Sequence, residues 1–327
     1  MVSNEQVSGR IRGSIQESTA QGIRKAGFRA MGTWCQLMFT EPSKSAGDYF
    51  LQQAIDWVAN FEARYSRFLP TSLVSQINAS AGRNWVDLDE ESERLFMLCH
   101  ELNFYSRGAF DPSALPLVQL WNWKTSPPRI PANAEIRNAM QFVGWSRIQR
   151  KRGAIFLPEK GMQIDLGGIG KEYAVDLVVQ LAQEHGVANA LIDFGQDLRV
   201  IGLPPDKPAW HVGLEDPKQP GKCWASLAIR DRAVTSSGDY LRNFTHEGRR
   251  YGHIIDPRSG YPVDNGCLVV SIVASTCTIA GFLSTTAFIL GPQEGYRLIE
   301  SYLGAAGCII TNNTQIQTKN LYEYLIP

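Results

Sequence analysis

From Ile155 onward, short apolar runs alternate with glycine-rich turns, and only two helical patterns interrupt them. Residues 163–166, 190–202, 211–215, 224–229 and 267–274 read as strands bounded by turns. Helical spacing appears at 171–185, where Tyr173, Ala174, Leu177, Val178 and Leu181 share a face, and at 279–290, continued by 294–303. Helices set among local hairpins argue against strict βαβ alternation and predict an α+β fold.

The first half fits that class. A strand-like run covers 28–39, and residues 47–68 carry Phe50, Ala54, Trp57, Val58, Phe61 and Tyr65 at amphipathic helical spacing. A second helix is expected at 90–106. Pro127, Pro128 and Pro131 then break the chain before a short helix at 134–142, which marks this stretch as a surface excursion. With no Ser/Gly linker or fixed-period repeat, residues 28–327 are expected to form a single domain of one or two lobes behind a polar tail at 1–27.

Composition narrows the partners. Thirty-two basic residues balance 32 acidic ones, so no net field draws the protein to nucleic acid or an anionic membrane. The first residues lack an apolar leader segment and a lipid-acceptor cysteine, and no apolar stretch is long enough to span a bilayer, so a cytoplasmic protein without a membrane partner is expected. The six cysteines form no C-x-x-C pair and read as buried free thiols.

Three segments can carry chemistry. Gln163-Ile-Asp-Leu-Gly-Gly-Ile-Gly-Lys-Glu-Tyr-Ala-Val-Asp176 is a glycine-rich turn running into a helix, where backbone N–H groups and the helix dipole favour an anion; it matches neither the Walker A nor the Rossmann spacing. Ser236-Ser-Gly-Asp-Tyr240 is followed by Tyr251-Gly-His-Ile-Ile-Asp-Pro-Arg-Ser-Gly-Tyr-Pro262, which puts hydroxyls, His253 and Asp256 where strands give way to turns. The helix at 279–290 sets Gly281 and Thr285 on one face at i, i+4. Taken singly, each segment serves a turn, a hairpin or a helix as readily as a ligand.

Together, in this order and approximate spacing, they resemble the ApbE family, the FAD:protein FMN transferases. The similarity extends over about residues 28–311 and includes Met31-Gly-Thr33, the run from Phe61 to Asn78, Gly108-Ala-Phe-Asp-Pro-Ser113, Pro116-Leu-Val-Gln-Leu-Trp121 and Trp210 to Pro217. The resemblance implies an ApbE-like, T-fold-like composite of sheets flanked by helices, with an FAD cleft between lobes. It implies transfer of FMN from FAD to a Ser or Thr hydroxyl of an acceptor flavoprotein, with AMP released.

By the same resemblance, Met31, Asp165, Gly167, Gly168, Ile169, Lys171, Gly195, Ser237, Asp239 and His253 would line the FAD site. His253, partnered by Asp256, would activate the acceptor hydroxyl. Magnesium would sit on a carbonyl of the turn, taken as that of Gly170, on Thr285, and on an Asp whose position here is held by Gly281. Losing that carboxylate removes a hard oxygen ligand. Glu172, where a Gly often follows the Lys, is a candidate substitute, and Gln196 stands within the usual Gly-Gly-Asp. Restoring the acid as Gly281→Asp is expected to strengthen magnesium binding if the pocket keeps the family geometry. Binding of FAD without transfer, and hydrolysis of FAD to FMN and AMP, are the competing readings.

Overall fold

Alternation along Cys267–Ala274 decides where this strand lies. Val270, Ile272 and Ala274 enter one core, while Val269 and Val273 enter a second core on the opposite face. A strand buried on both faces belongs inside a sheet that is covered on both sides. In the computed structural model, which describes residues 4–125 and 127–326, that sheet has nine strands. They are β1 (Gln16–Ala20), β2 (Ile23–Ala30), β3 (Thr33–Phe39), β4 (Ala190–Phe194), β5 (Leu198–Ile201), β6 (Ala233–Gly238), β7 (Cys267–Ala274), β8 (Ala306–Thr311) and β9 (Gln315–Gln317). Spatial order follows chain order, and every neighbouring pair is antiparallel.

Helices α1 (Asn4–Arg12), α2 (Lys44–Tyr65), α3 (Gly170–Glu184), α4 (Cys277–Leu290) and α5 (Pro292–Ser301) share the first core with one face of the sheet. The hairpin Trp210–Glu215 with Cys223–Ile229 covers the other, packing Trp210, Val212, Leu214, Leu227 and Ile229 against Leu191, Val200 and Val234. Antiparallel order puts the β2–β3 turn, the β4–β5 turn and the end of β6 at one end of the sheet. Helix α3 packs on β4 and joins it through residues 185–189, so its N-terminus lies at that same end. No helix among the described residues is long and apolar enough to cross a membrane.

Several expectations change. The run 28–39 is a hairpin, turned at Met31 and Gly32, both at positive φ, and 190–202 is a hairpin turned at Gly195 and Gln196, also both positive. The stretch 163–166 is not a strand. Its Ile164 amide and carbonyl bond to the Asn78 side chain at 2.7 and 3.0 Å, and the Asp165 N–H donates to the Pro112 carbonyl at 2.8 Å, so a side chain and a loop take the place of a ladder. The excursion is packed rather than loose: Leu117, Trp121 and Ile136 form a third cluster with Phe244 and Ile255.

Beyond residues 1–3, which lie outside the described residues, the stretch read as a polar tail is folded. Val7 and Ile11 of α1 are buried in the main core, because they are spaced to one face of a helix whose other residues are polar. Arg10 pairs with Glu62 at 2.7 Å, and Glu62 in turn accepts the Met31 N–H at 2.9 Å. Deleting residues 1–13 is expected to cost about 3 kcal/mol from lost apolar burial alone, read as a lower midpoint in a denaturant melt.

Candidate active site

The end of the sheet that gathers these turns also gathers the polar residues. The Asp165 carboxylate pairs with Arg67 at 3.3 Å, while burial pushes its pKa up against the pull of Arg67 and of the neighbouring Leu166 and Gly167 amides. Asp165 thereby pins the start of the glycine-rich turn. Gly167 and Gly168 carry the chain round to Ile169, which stands at the N-cap of α3 without offering a side-chain hydrogen bond. Gly170 opens the helix, its N–H donating to the Leu166 carbonyl at 2.7 Å. No side chain caps this helix end, so its dipole is the feature that favours an anion here.

Lys171 and Glu172 follow in the first turn. Lys171 pairs with Asp197 and lies 3.5 Å from the Glu172 carboxylate. Burial works against its charge, but the two carboxylates outweigh burial and raise its pKa. Burial pushes the Glu172 carboxyl up to about 7, with Lys171 opposing and Asp197 adding to the shift. Glu172 is only 6% exposed, and its Oε2 has no hydrogen-bond partner.

The two sheet turns stand beside this helix end. The Gly195 N–H donates to the Trp34 carbonyl at 3.1 Å, and a Cβ at Gly195 would lie 2.5 Å from Thr33 Oγ1, at a φ of +75°. Only glycine fits there. Met31 takes φ +51°, uncommon for a side-chain-bearing residue, with its N–H held by Glu62.

Thr285 and Ser237 are brought together. Ser237 Oγ lies 2.9 Å from Thr285 Oγ1 and 2.8 Å from Ser284 Oγ, joining the end of β6 to α4. Asp239 is buried, pairs with Arg250 at 2.8 Å and accepts from the Asn243 side chain at its carbonyl, so it braces the hairpin Asn243–His246 with Arg249–Gly252. That hairpin delivers His253, whose N–H donates to the Arg242 carbonyl at 3.0 Å. Trp121 supports the loop beyond, donating from Nε1 to the Gly260 carbonyl at 2.8 Å.

His253 Nδ1 is buried and unpartnered. Burial, then the positive fields of Arg242 and Lys171, lower its pKa to about 4, so it is neutral at pH 7. The expected partnership with Asp256 does not form. Both Asp256 oxygens are held by the Arg258 guanidinium, at 2.9 and 2.8 Å, because a residue two positions on in a tight turn reaches the carboxylate first.

Among the described residues, no three His, Cys, Asp or Glu side chains gather in a way that could hold a metal. The oxygens of the Thr285 hydroxyl, the Gly170 carbonyl and the Glu172 carboxylate are hard donors of the kind that suits magnesium. Of these, Glu172 Oε2 is buried without a partner.

The model of the ApbE family matches residues 31–310 of this chain. The chain belongs to the ApbE family. It is 28% identical over 307 residues to a FAD:protein FMN transferase of Treponema pallidum (strain Nichols), covering 88% of this chain and 84% of that protein. A FAD:protein FMN transferase of Klebsiella pneumoniae (strain 342) is 29% identical over 248 residues, covering 75% and 77%. Among solved structures, the ApbE protein of Thermotoga maritima superposes with a TM-score of 0.82 at 26% identity, covering 96% of this chain and all (100%) of that one. The flavin transferase ApbE of Vibrio cholerae shares the fold, with a TM-score of 0.83 at 22% identity over 93% of this chain and 100% of that one.

For an ApbE chain, sequence reasoning missed three groups. Arg67, inside the matched Phe61 to Asn78 run, pairs with Asp165; Glu62 in the same run holds Met31; and Asp197 holds Lys171. Their charge within matched segments was the available signal. Asp176, which closes the first segment, accepts the N–H groups of Cys277 and Thr278 at 2.9 and 2.8 Å and pairs with Arg199 at 2.8 Å, so α3 caps the start of α4.

Proposed function

We propose that this chain is an FAD:protein FMN transferase acting on a Ser or Thr hydroxyl of an acceptor flavoprotein. The observation that carries the reading is His253, whose buried Nδ1 has no partner, together with Lys171 in the first turn of a helix whose N-cap offers no side-chain bond. A base and a site that holds phosphate are two parts that attack on a phosphoanhydride requires. The family membership and the names of the relatives support the same reaction.

In this reading the acceptor hydroxyl attacks the FMN-side phosphorus of FAD, a new P–O bond forms, and the phosphoanhydride bond to AMP breaks. His253 takes the hydroxyl proton. The α3 amides and Lys171 hold the phosphates, with Asp165 and the turn 167–170 shaping the site, while Met31, Gly195, Ser237 and Asp239 wall it. Asp256 has a structural part, through Arg258. Magnesium would be held by Glu172, Thr285 and the Gly170 carbonyl, and when bound would offset phosphate charge. A cytoplasmic setting is supported by six free cysteines, five of them buried.

The test is to incubate purified protein with FAD, with and without Mg²⁺, beside a flavoprotein domain carrying a Thr target. Transfer gives flavin fluorescence on the acceptor in a denaturing gel, with AMP released. Free FMN without labelling would point instead to hydrolysis, and bound FAD without either product to a binding protein.

A further inference from the structure

Gly281 lies in α4, and the space above its Cα is already filled. A Cβ added there would lie 2.5 Å from Cγ of Glu172, and 3.1 Å from both its carboxyl carbon and Oε1. No flexible rearrangement is cheap at that spot, since Glu172 is buried and Gly281 is buried opposite it. The helix α4 is glycine here because a carboxylate from α3 occupies the position that a side chain of its own would take. One turn later on the same face stands Thr285, whose hydroxyl bonds Ser237.

We propose that Glu172 and Gly281 are a reciprocal exchange, in which the carboxylate ligand of the divalent-cation site comes from the first turn of α3 instead of from α4. The inference rests on the transferase reading only for the identity of the site. It stands on two independent features: Glu172 Oε2 is a buried carboxylate oxygen without a hydrogen-bond partner, and the Glu172 stem fits against a residue with no side chain. A carboxylate kept dry and unpaired is costly unless something positive completes it. Lys171, at 3.5 Å from Oε1, completes one oxygen and leaves the other. Oxygen donors of Thr285 and of the turn carbonyl would make up a hard-cation shell.

This geometry also reverses the expectation for Gly281→Asp. Alone, that substitution forces two side chains into one space, so it is expected to weaken folding and metal binding rather than strengthen the latter. Combined with Glu172→Gly, it returns the carboxylate to α4 and relieves the clash.

The experiment titrates Mn²⁺ alone into the full chain and follows loss of its free-ion EPR signal, with a thermal melt of each variant. The wild type is expected to bind, Glu172→Gln to lose at least about tenfold in affinity with little change in melting, and the double variant Glu172→Gly with Gly281→Asp to recover most of that loss. Gly281→Asp alone is expected to melt lower and bind weakly. Equal Mn²⁺ affinity for wild type and Glu172→Gln overturns the exchange, as does a folded double variant that binds no better than Glu172→Gly. Acceptor labelling is read separately. Glu172-dependent binding without labelling would sink the transferase reading and leave the exchange standing, and labelling with Glu172-independent binding would do the reverse.

Discussion

Replacing His253 with alanine is expected to lower kcat for acceptor labelling by roughly 10²–10⁴-fold, the range for removing a positioned base, with a much smaller change in KM for FAD. The imidazole is buried beside Arg242 and within the field of Lys171, and these hold its pKa down to about 4. The sign follows directly. Protonation at low pH removes the lone pair that accepts the hydroxyl proton, so the His253 contribution to kcat/KM should be lost as pH drops through about 4. An acid limb that His253→Ala leaves unchanged would remove His253 from this role. Asp256→Asn should leave the limb where it is, since Asp256 is held by Arg258.

Replacing Asp176 with alanine should have the largest effect on stability. Its carboxylate accepts two amides at the start of α4 and neutralises Arg199, all in a setting where its side chain is 13% exposed. The variant loses a helix cap and leaves a largely buried guanidinium unpaired. A loss of about 3–5 kcal/mol is expected, at the upper end for a broken buried pair. Denaturant melts of Asp176→Ala and of the double variant with Arg199→Met would check the cause. The second change should recover part of the loss, and a double variant as unstable as the sum of the two would assign the effect to the cap alone.

Periodicity made α2, α3 and α4 legible, because their apolar faces repeat at helical spacing whatever they pack against. It also placed Cys267–Ala274 in a strand. It could not separate a strand from the loop at 163–166, whose backbone bonds depend on Asn78 and Pro112, residues distant in sequence. The polar residues of α1 hid Val7 and Ile11 for a similar reason: two apolar positions are too few to signal burial. At the site, the family resemblance named the turn, Ser237, His253 and Thr285. It did not pair them. Asp256 belongs to a neighbour two residues away, whereas Glu172 meets Gly281 from another helix altogether. Glu172, a candidate in the sequence for the missing acid, is in direct contact with Gly281 in space.

The strands β3 and β4 are adjacent in the sheet, yet residues 40–189 are inserted between them. This seam carries Thr33 against Gly195, and the proposed pocket would take Met31 from before the insertion and Thr285 from near the end of the chain. During synthesis the first strands leave the ribosome long before their partner exists. The seam, and with it the end of the sheet where the candidate residues gather, closes only after residues 40–189 have been made.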